Sequence, residues 1–147
     1  MNPIDKAQVE KVPYERTGFV ADAVLLEDVL KEELTDVRSL LAKAIILKNS
    51  QDFNNGNVYR IAINYCGEAM RDCQKVSLYL SLTGNADNRQ VKKYFSICCE
   101  LMGDCYSKLG NPEEAKIKYQ DAMRFYEKMG EKTDLLNDKI TDLSKAA

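Results

Sequence analysis

The segment LMGDCYSKLGNPEEAKIKYQDAM, residues 101–123, decides the fold of this chain. Gly110 has the place of a residue just past a helix, and Asn111 followed by Pro112 favours the start of another helix. Two antiparallel helices joined by so short a turn must approach closely, and a small residue on one helix then makes room for a large one on the other. Gly103 and Ala115 are suited to that crossing. The segment therefore predicts a tight helical hairpin.

Helical periodicity extends from this hairpin over most of the chain, and no segment alternates apolar and polar residues long enough to indicate a strand. We expect a polar arm at residues 1–13 and a single all-α domain over residues 14–147. The predicted helices cover residues 19–33, 35 or 36 to about 53, 58–82, 88–109, 112 to about 129, and 133 or 134 to 145. Thr35 or Asp36 is expected to cap the second of these helices. The sequence NNGN at 54–57 predicts the turn before the third of them.

An internal repeat links two of these helices. AINYCGEAMRDC at 62–73 aligns with AKIKYQDAMRFY at 115–126, with an offset of 53 residues and a shared frame of Ala, six residues, then Ala-Met-Arg. A fixed internal period indicates a repeated structural unit. The chain is therefore expected to contain two helical hairpins and a terminal helix.

The spacing of small and large residues in the clearer unit resembles a tetratricopeptide repeat. The matching positions are Met102, Gly103, Tyr106, Gly110, Ala115, Tyr119 and Ala122. The match covers residues 88–131 well and residues 36–83 weakly, while Cys99 and Glu127 stand where the family prefers tryptophan and proline. The resemblance implies a solenoid of antiparallel helical hairpins with flanking capping helices.

The resemblance also implies a function, because tetratricopeptide repeats are adaptors and scaffolds that hold a partner segment in a groove lined by the first helix of each hairpin. By position, the groove residues of the clear repeat are Ile97, Glu100, Asp104, Ser107 and Lys108. Those of the weak repeat are Ala44, Leu47, Gln51, Asn54 and Asn55. We expect a non-catalytic protein-interaction module that binds a partner segment in this groove, which Glu100 and Asp104 make acidic.

The charges of two predicted groove residues limit the classes of partner that we expect. Glu100 and Asp104 stand where one subclass of the family has Lys and Asn to grip the acidic C-terminal tail of a chaperone. Two carboxylates repel such a tail by up to about 1 kcal/mol per pair in water, so a basic segment or an amphipathic helix is favoured instead. A simpler alternative is that Glu100, Asp104 and Lys108, spaced four apart, form only a solvated helix face.

Other classes of binding protein stay open. The long helices and the sequence EKMGEK at 127–132 resemble the stretched repeats of kinesin light chains and soluble NSF attachment proteins. The segment AIILKNSQDFNNGNVYRIAINYCGEAM at 44–70 is similar to the three-helix domain of microtubule-interacting and trafficking proteins. It could instead be a permanent structural subunit of a larger complex, in which case we expect an exposed apolar patch and self-association when it is isolated.

Composition excludes several functions. A net charge of −2 and a pI near 5.3 argue against nucleic-acid binding. No apolar run approaches the ~18 residues of a membrane span or forms a signal peptide, so we expect a cytoplasmic protein.

The chain has five cysteines and no histidine, and no metal or cofactor is expected. Glu100 and Asp104 are accompanied by no nucleophile motif or phosphate loop, so we expect no enzyme.

Overall fold

The structure, a computed structural model, describes residues 14–50, 56–82, 84 and 88–146, with side chains from residue 31 to 145 within those ranges. This described part of the chain is all α-helical apart from short connections. Its helices are α1 (Tyr14–Lys48), α2 (Asn57–Leu82), α3 (Arg89–Lys108), α4 (Pro112–Lys128) and α5 (Asp134–Ala146). The predicted polar arm lies outside the described residues, as do Asn54 and Asn55 of the predicted turn.

The ends of α3 and α4, just before Gly110 and Gly130, follow the local sequence. Both glycines end a helix with positive φ, at 76° and 73°, a conformation that costs little without a Cβ. Pro112 is the first residue of α4, as predicted. The side chain of Asn111 makes no capping hydrogen bond, whereas Asn88 accepts one from the backbone N–H of Val91 at 3.0 Å.

The prediction of two helices before residue 53 is wrong, because α1 runs unbroken through residues 33–36. Thr35 was expected to cap a second helix. Its hydroxyl instead donates to the carbonyl of Lys31, four residues earlier, at 2.9 Å. No glycine or proline stands between the two predicted helices to break the backbone hydrogen bonds.

Each helix packs against the next one in the chain, and α1 also contacts α3. The larger hydrophobic core lies among α1, α2 and α3 and includes Val37, Ala62 and Cys98. A smaller core joins α3, α4 and α5 through Cys99, Tyr119 and Leu136. α1, α3 and α5 thus lie on the same side of the succession of hairpins, where their side chains can meet.

The internal repeat has the same burial in both copies. Ala62 and Ala69 on α2 are completely buried, and so are their counterparts Ala115 and Ala122 on α4. The arginines that follow them, Arg71 and Arg124, are exposed. The corresponding alanines of the two segments are therefore buried in the same way, and the corresponding arginines are both exposed.

Candidate functional site

Two acidic side chains on α3 form the centre of the candidate site. Glu100 and Asp104 are four residues apart, so they project from the same face of the helix. Their side chains keep only 28% and 14% of their surface exposed. Carboxylates buried to this extent need charged or hydrogen-bonding partners, and the structure supplies these from three other helices.

The first partner is Lys139 of α5. Its ammonium lies 2.9 Å from Oε2 of Glu100 and 2.9 Å from Oδ1 of Asp104, and 5.5 Å from the centre of the Tyr119 ring. Partial burial lowers the pKa of Lys139, but the hydrogen bonds to both carboxylates more than offset this and raise it above its ordinary value. One cation of α5 therefore holds both acidic groups of α3.

The second partner comes from the other side of α3. Lys48, the last residue of α1, lies 3.4 Å from Oδ2 of Asp104. A lysine in the last turn of a helix is also favoured by the negative end of that helix dipole. Asp104 thus connects α1 with α5, and it does so across the width of α3.

Two tyrosines of α4 complete the set. The hydroxyl of Tyr119 donates to Oδ1 of Asp104 at 2.6 Å, and that of Tyr126 donates to Oε1 of Glu100 at 3.2 Å. Burial, together with these carboxylates, raises the pKa of both phenols, so they stay protonated donors at neutral pH. We refer to the six residues as the carboxylate network: Lys48, Glu100, Asp104, Tyr119, Tyr126 and Lys139.

The network changes the charge of the predicted groove. Two carboxylates and two ammonium groups sum to a formal charge of zero, whereas the sequence predicted an acidic surface. The alternative of a purely solvated helix face is wrong for Asp104, whose partners lie on α1, α4 and α5. Lys108, the partner expected from its spacing, is exposed and does not pair with Asp104.

The other predicted groove residues are dispersed. Ala44 is buried in the larger core, and Ile97 and Leu47 are half-buried against it, so none of the three presents a free side chain to a partner. Ser107 and Lys108 are exposed at the end of α3. Three more, Gln51, Asn54 and Asn55, lie outside the described residues.

A shallow cleft adjoins the network between α3, α4 and α5. Its volume is about 200 Å³, and Ser107, Tyr119, Lys139, Asp142 and Leu143 line it. Of these residues the sequence had indicated only Ser107 as a binding residue. Lys139 could have been found, because it is the one lysine beside the apolar stripe of α5 formed by Leu136, Ile140 and Leu143.

Potential metal ligands do not cluster in the part of the chain that the structure describes, which contains no group of three or more histidine, cysteine or acidic side chains able to hold a metal ion. All five cysteines are buried free thiols. Burial raises the pKa of Cys66 to about 12 and those of Cys99 and Cys105 to about 11, so these thiols are protonated and poorly nucleophilic at neutral pH.

Comparison with known proteins assigns no family. No protein-family model matches the chain, and neither a curated protein nor a solved structure gives a significant match. Within the described ranges, no helix combines the length and the apolar character that crossing a membrane requires. The functional argument therefore rests on the geometry of the chain itself.

Proposed function

We propose that this chain is a non-catalytic protein-interaction module of tetratricopeptide-like construction, which binds a helical partner segment against α3 and its neighbours. One observation carries the proposal. The carboxylate pair of α3 is engaged by a lysine of an amphipathic helix, α5, and helices of this kind are the ligands that grooves in helical proteins hold. A basic or amphipathic partner helix is the chemistry that this face accommodates.

Two further observations support the repeat construction. The copies of the internal repeat bury the same alanines, and α1 contacts α3 as the first helices of successive hairpins would. The five reduced thiols fit the reducing environment of the cytoplasm, where we place the module. Affinity for an acidic chaperone tail is not part of the proposal, because Glu100 and Asp104 stand where that subclass has Lys and Asn, and both lysines of the network are already paired with these carboxylates.

A structural subunit of a larger assembly is the second candidate, and exposed apolar side chains favour it. Leu82 and Leu135 are each 76% exposed, Ile46 is 67% exposed and Leu78 is 59% exposed. Leu78 and Leu82 are one helical turn apart on α2, so they form a continuous apolar surface. Sedimentation velocity separates the candidates, since a free adaptor remains monomeric whereas an isolated subunit self-associates.

Affinity capture with mass spectrometry tests the interaction module. The wild type is compared with Glu100→Gln/Asp104→Asn, which removes both negative charges with little change in shape. Glu113→Gln/Asp138→Asn is the matched control, because it removes two exposed carboxylates from other surfaces. Circular dichroism and thermal unfolding show beforehand that all three proteins are folded.

We expect the first variant to lose a partner that the wild type and the control both retain. Retention of every partner by all three proteins contradicts binding at the α3 carboxylates. A chain that captures nothing and sediments as a defined oligomer supports the structural subunit instead.

A further inference from the structure

Helix α5 has the character of a bound ligand. Leu136, Ile140 and Leu143 recur at i, i+4 and i+7, and they pack against the smaller core formed by α3 and α4. Leu136 is 3% exposed. Lys139 follows Leu136 by three residues and places its ammonium between two carboxylates at 2.9 Å. The helix thus combines an apolar stripe with one anchoring cation.

The same helix is held by fewer buried groups than its neighbours. Leu136 is its one buried side chain among those described, whereas α3 has nine buried residues. Leu135 is 76% exposed, and Asp134, Asp138 and Thr141 face solvent. An element with little buried apolar surface opens at lower free energy than the rest of its domain.

The connection before α5 allows it to leave without disturbing α4. Residues 131–133 are not helical. Arg89 of α3 donates to the carbonyl of Met129 at 2.9 Å and pairs with Glu131 at 3.0 Å. The end of α4 is therefore held by α3, and residues 132 and 133 form a short non-helical link to α5.

We propose that α5 is the chain's own occupant of a helix-binding site on α3 and α4, and that the partner is a lysine-bearing amphipathic helix which displaces it. The inference rests on the proposed function and specifies its ligand. The partner carries apolar residues at i, i+4 and i+7 and a lysine at i+3. Its ammonium replaces that of Lys139 between Glu100 and Asp104, so Glu100 keeps a cationic partner when α5 departs, while Asp104 also keeps Lys48.

This arrangement makes α5 a competitor of the partner. The apparent association constant of an external helix equals its intrinsic association constant multiplied by the fraction of molecules in which α5 is released. A substitution that weakens only the attachment of α5 to α3 and α4 must therefore increase the affinity for an external helix. A change that removes the carboxylates weakens both α5 and the external helix.

The test uses a fluorescein-labelled peptide of residues 133–146, TDLLNDKITDLSKA, added to the full chain. The chain is wild type, Lys139→Glu, or the control Lys145→Glu, which makes the same charge change at an exposed position of α5. Fluorescence anisotropy measures peptide binding, and hydrogen exchange with mass spectrometry measures protection of α5. A second peptide carrying K139E tests the role of the lysine in the ligand.

In Lys139→Glu a third carboxylate faces Glu100 and Asp104, so we expect α5 to lose its protection while α1–α4 keep theirs. That chain should bind the native peptide about tenfold or more tightly than the wild type or Lys145→Glu. The K139E peptide should bind none of them. Rebinding of the native peptide also shows that the site itself remains folded.

Two results overturn the inference. If α5 stays protected in Lys139→Glu, its apolar side holds it permanently and a partner cannot replace it. If α5 is released but the native peptide does not bind, the site accepts no external helix. Either result leaves the proposed function standing when the capture experiment shows a partner lost with Glu100→Gln/Asp104→Asn, since that partner then uses the network without displacing α5.

Discussion

Gly103 of α3 lies directly against the ring of Tyr119 of α4. A Cβ built on Gly103 would stand 2.6 Å from both Cδ1 and Cε1 of that ring, closer than any real contact. The absence of a side chain at one residue therefore sets the distance between the two helices. It also places the Tyr119 hydroxyl 2.6 Å from Asp104, one residue further along α3. The pairing of small and large residues predicted from the sequence is confirmed here.

Gly103→Ala should destabilise the fold by about 1–3 kcal/mol, since a methyl group added to a filled contact forces the ring or the helix to move. Gly67→Ala is the control, because the nearest atom to its Cβ would be Nη1 of Arg71 at 3.8 Å. That change should stabilise α2 by about 0.5–1 kcal/mol through better helix propensity. Urea unfolding measures both, and equal effects would contradict the tight contact.

Tyr119→Phe should lower the free energy of unfolding by about 1.5–3 kcal/mol, because it removes a hydrogen bond to the charged carboxylate of Asp104. Tyr106→Phe is the comparison. The Tyr106 hydroxyl bonds to no residue that the structure describes, so the cost there should stay below about 0.5 kcal/mol. Similar costs at both positions would mean that the Tyr119 hydroxyl contributes nothing beyond its ring.

Asn88→Ala should cost about 1 kcal/mol, since its side chain caps α3 by accepting from the N–H of Val91. Asn111→Ala should cost only a few tenths of a kcal/mol, because Asn111 precedes α4 without a side-chain capping bond. Thermal unfolding of the two variants side by side tests this order. The reverse order would mean that Asn111 caps α4 after all and that the Asn88 hydrogen bond contributes little.

The fold should lose stability at alkaline pH. The pKa of Cys99 and Cys105 rises from an ordinary 9.0 to about 11, and that of Cys66 to about 12, because burial disfavours the thiolate. The raised pKa of Tyr119, Tyr126 and Lys139 acts in the same direction. Protons bound more tightly in the folded state give stability that is complete below about pH 9 and is lost as the pH rises towards 12.

We therefore expect the melting temperature to be constant from pH 7 to about 8.5 and to fall steeply above it. Scanning calorimetry across this range measures the change, with a reducing agent present to keep the thiols free. Cys66→Ala should reduce the slope, because it removes one of the buried thiols that must ionise. A melting temperature unchanged at pH 11 would contradict the protonated, buried state of these groups.

Local chemistry was enough to predict where several helices end. Gly110, Pro112 and Gly130 act through their own backbone preferences, which need no distant partner, and the structure has the predicted boundaries there. The same local approach was wrong near residue 35. A good capping residue does not start a helix where nothing interrupts the helix before it, and Thr35 finds its hydrogen bond inside α1.

Sequence spacing also placed Glu100 and Asp104 on one face of α3, because helical periodicity alone decides that. Spacing could not reveal which residues of other helices pair with these two carboxylates. Lys48 is 56 residues before Asp104 and Lys139 is 35 residues after it, and the sequence around each lysine does not show which carboxylate it reaches.

The sequence by itself thus determined several helix ends, the shared face of Glu100 and Asp104 and the close crossing at Gly103. The tertiary structure decided that the acidic face carries no net charge and that α5 lies against it. The physical reason is the distance along the sequence over which each interaction acts. Helix capping and helical periodicity depend on residues a few positions apart, whereas these ion pairs form only after packing has brought separate helices together.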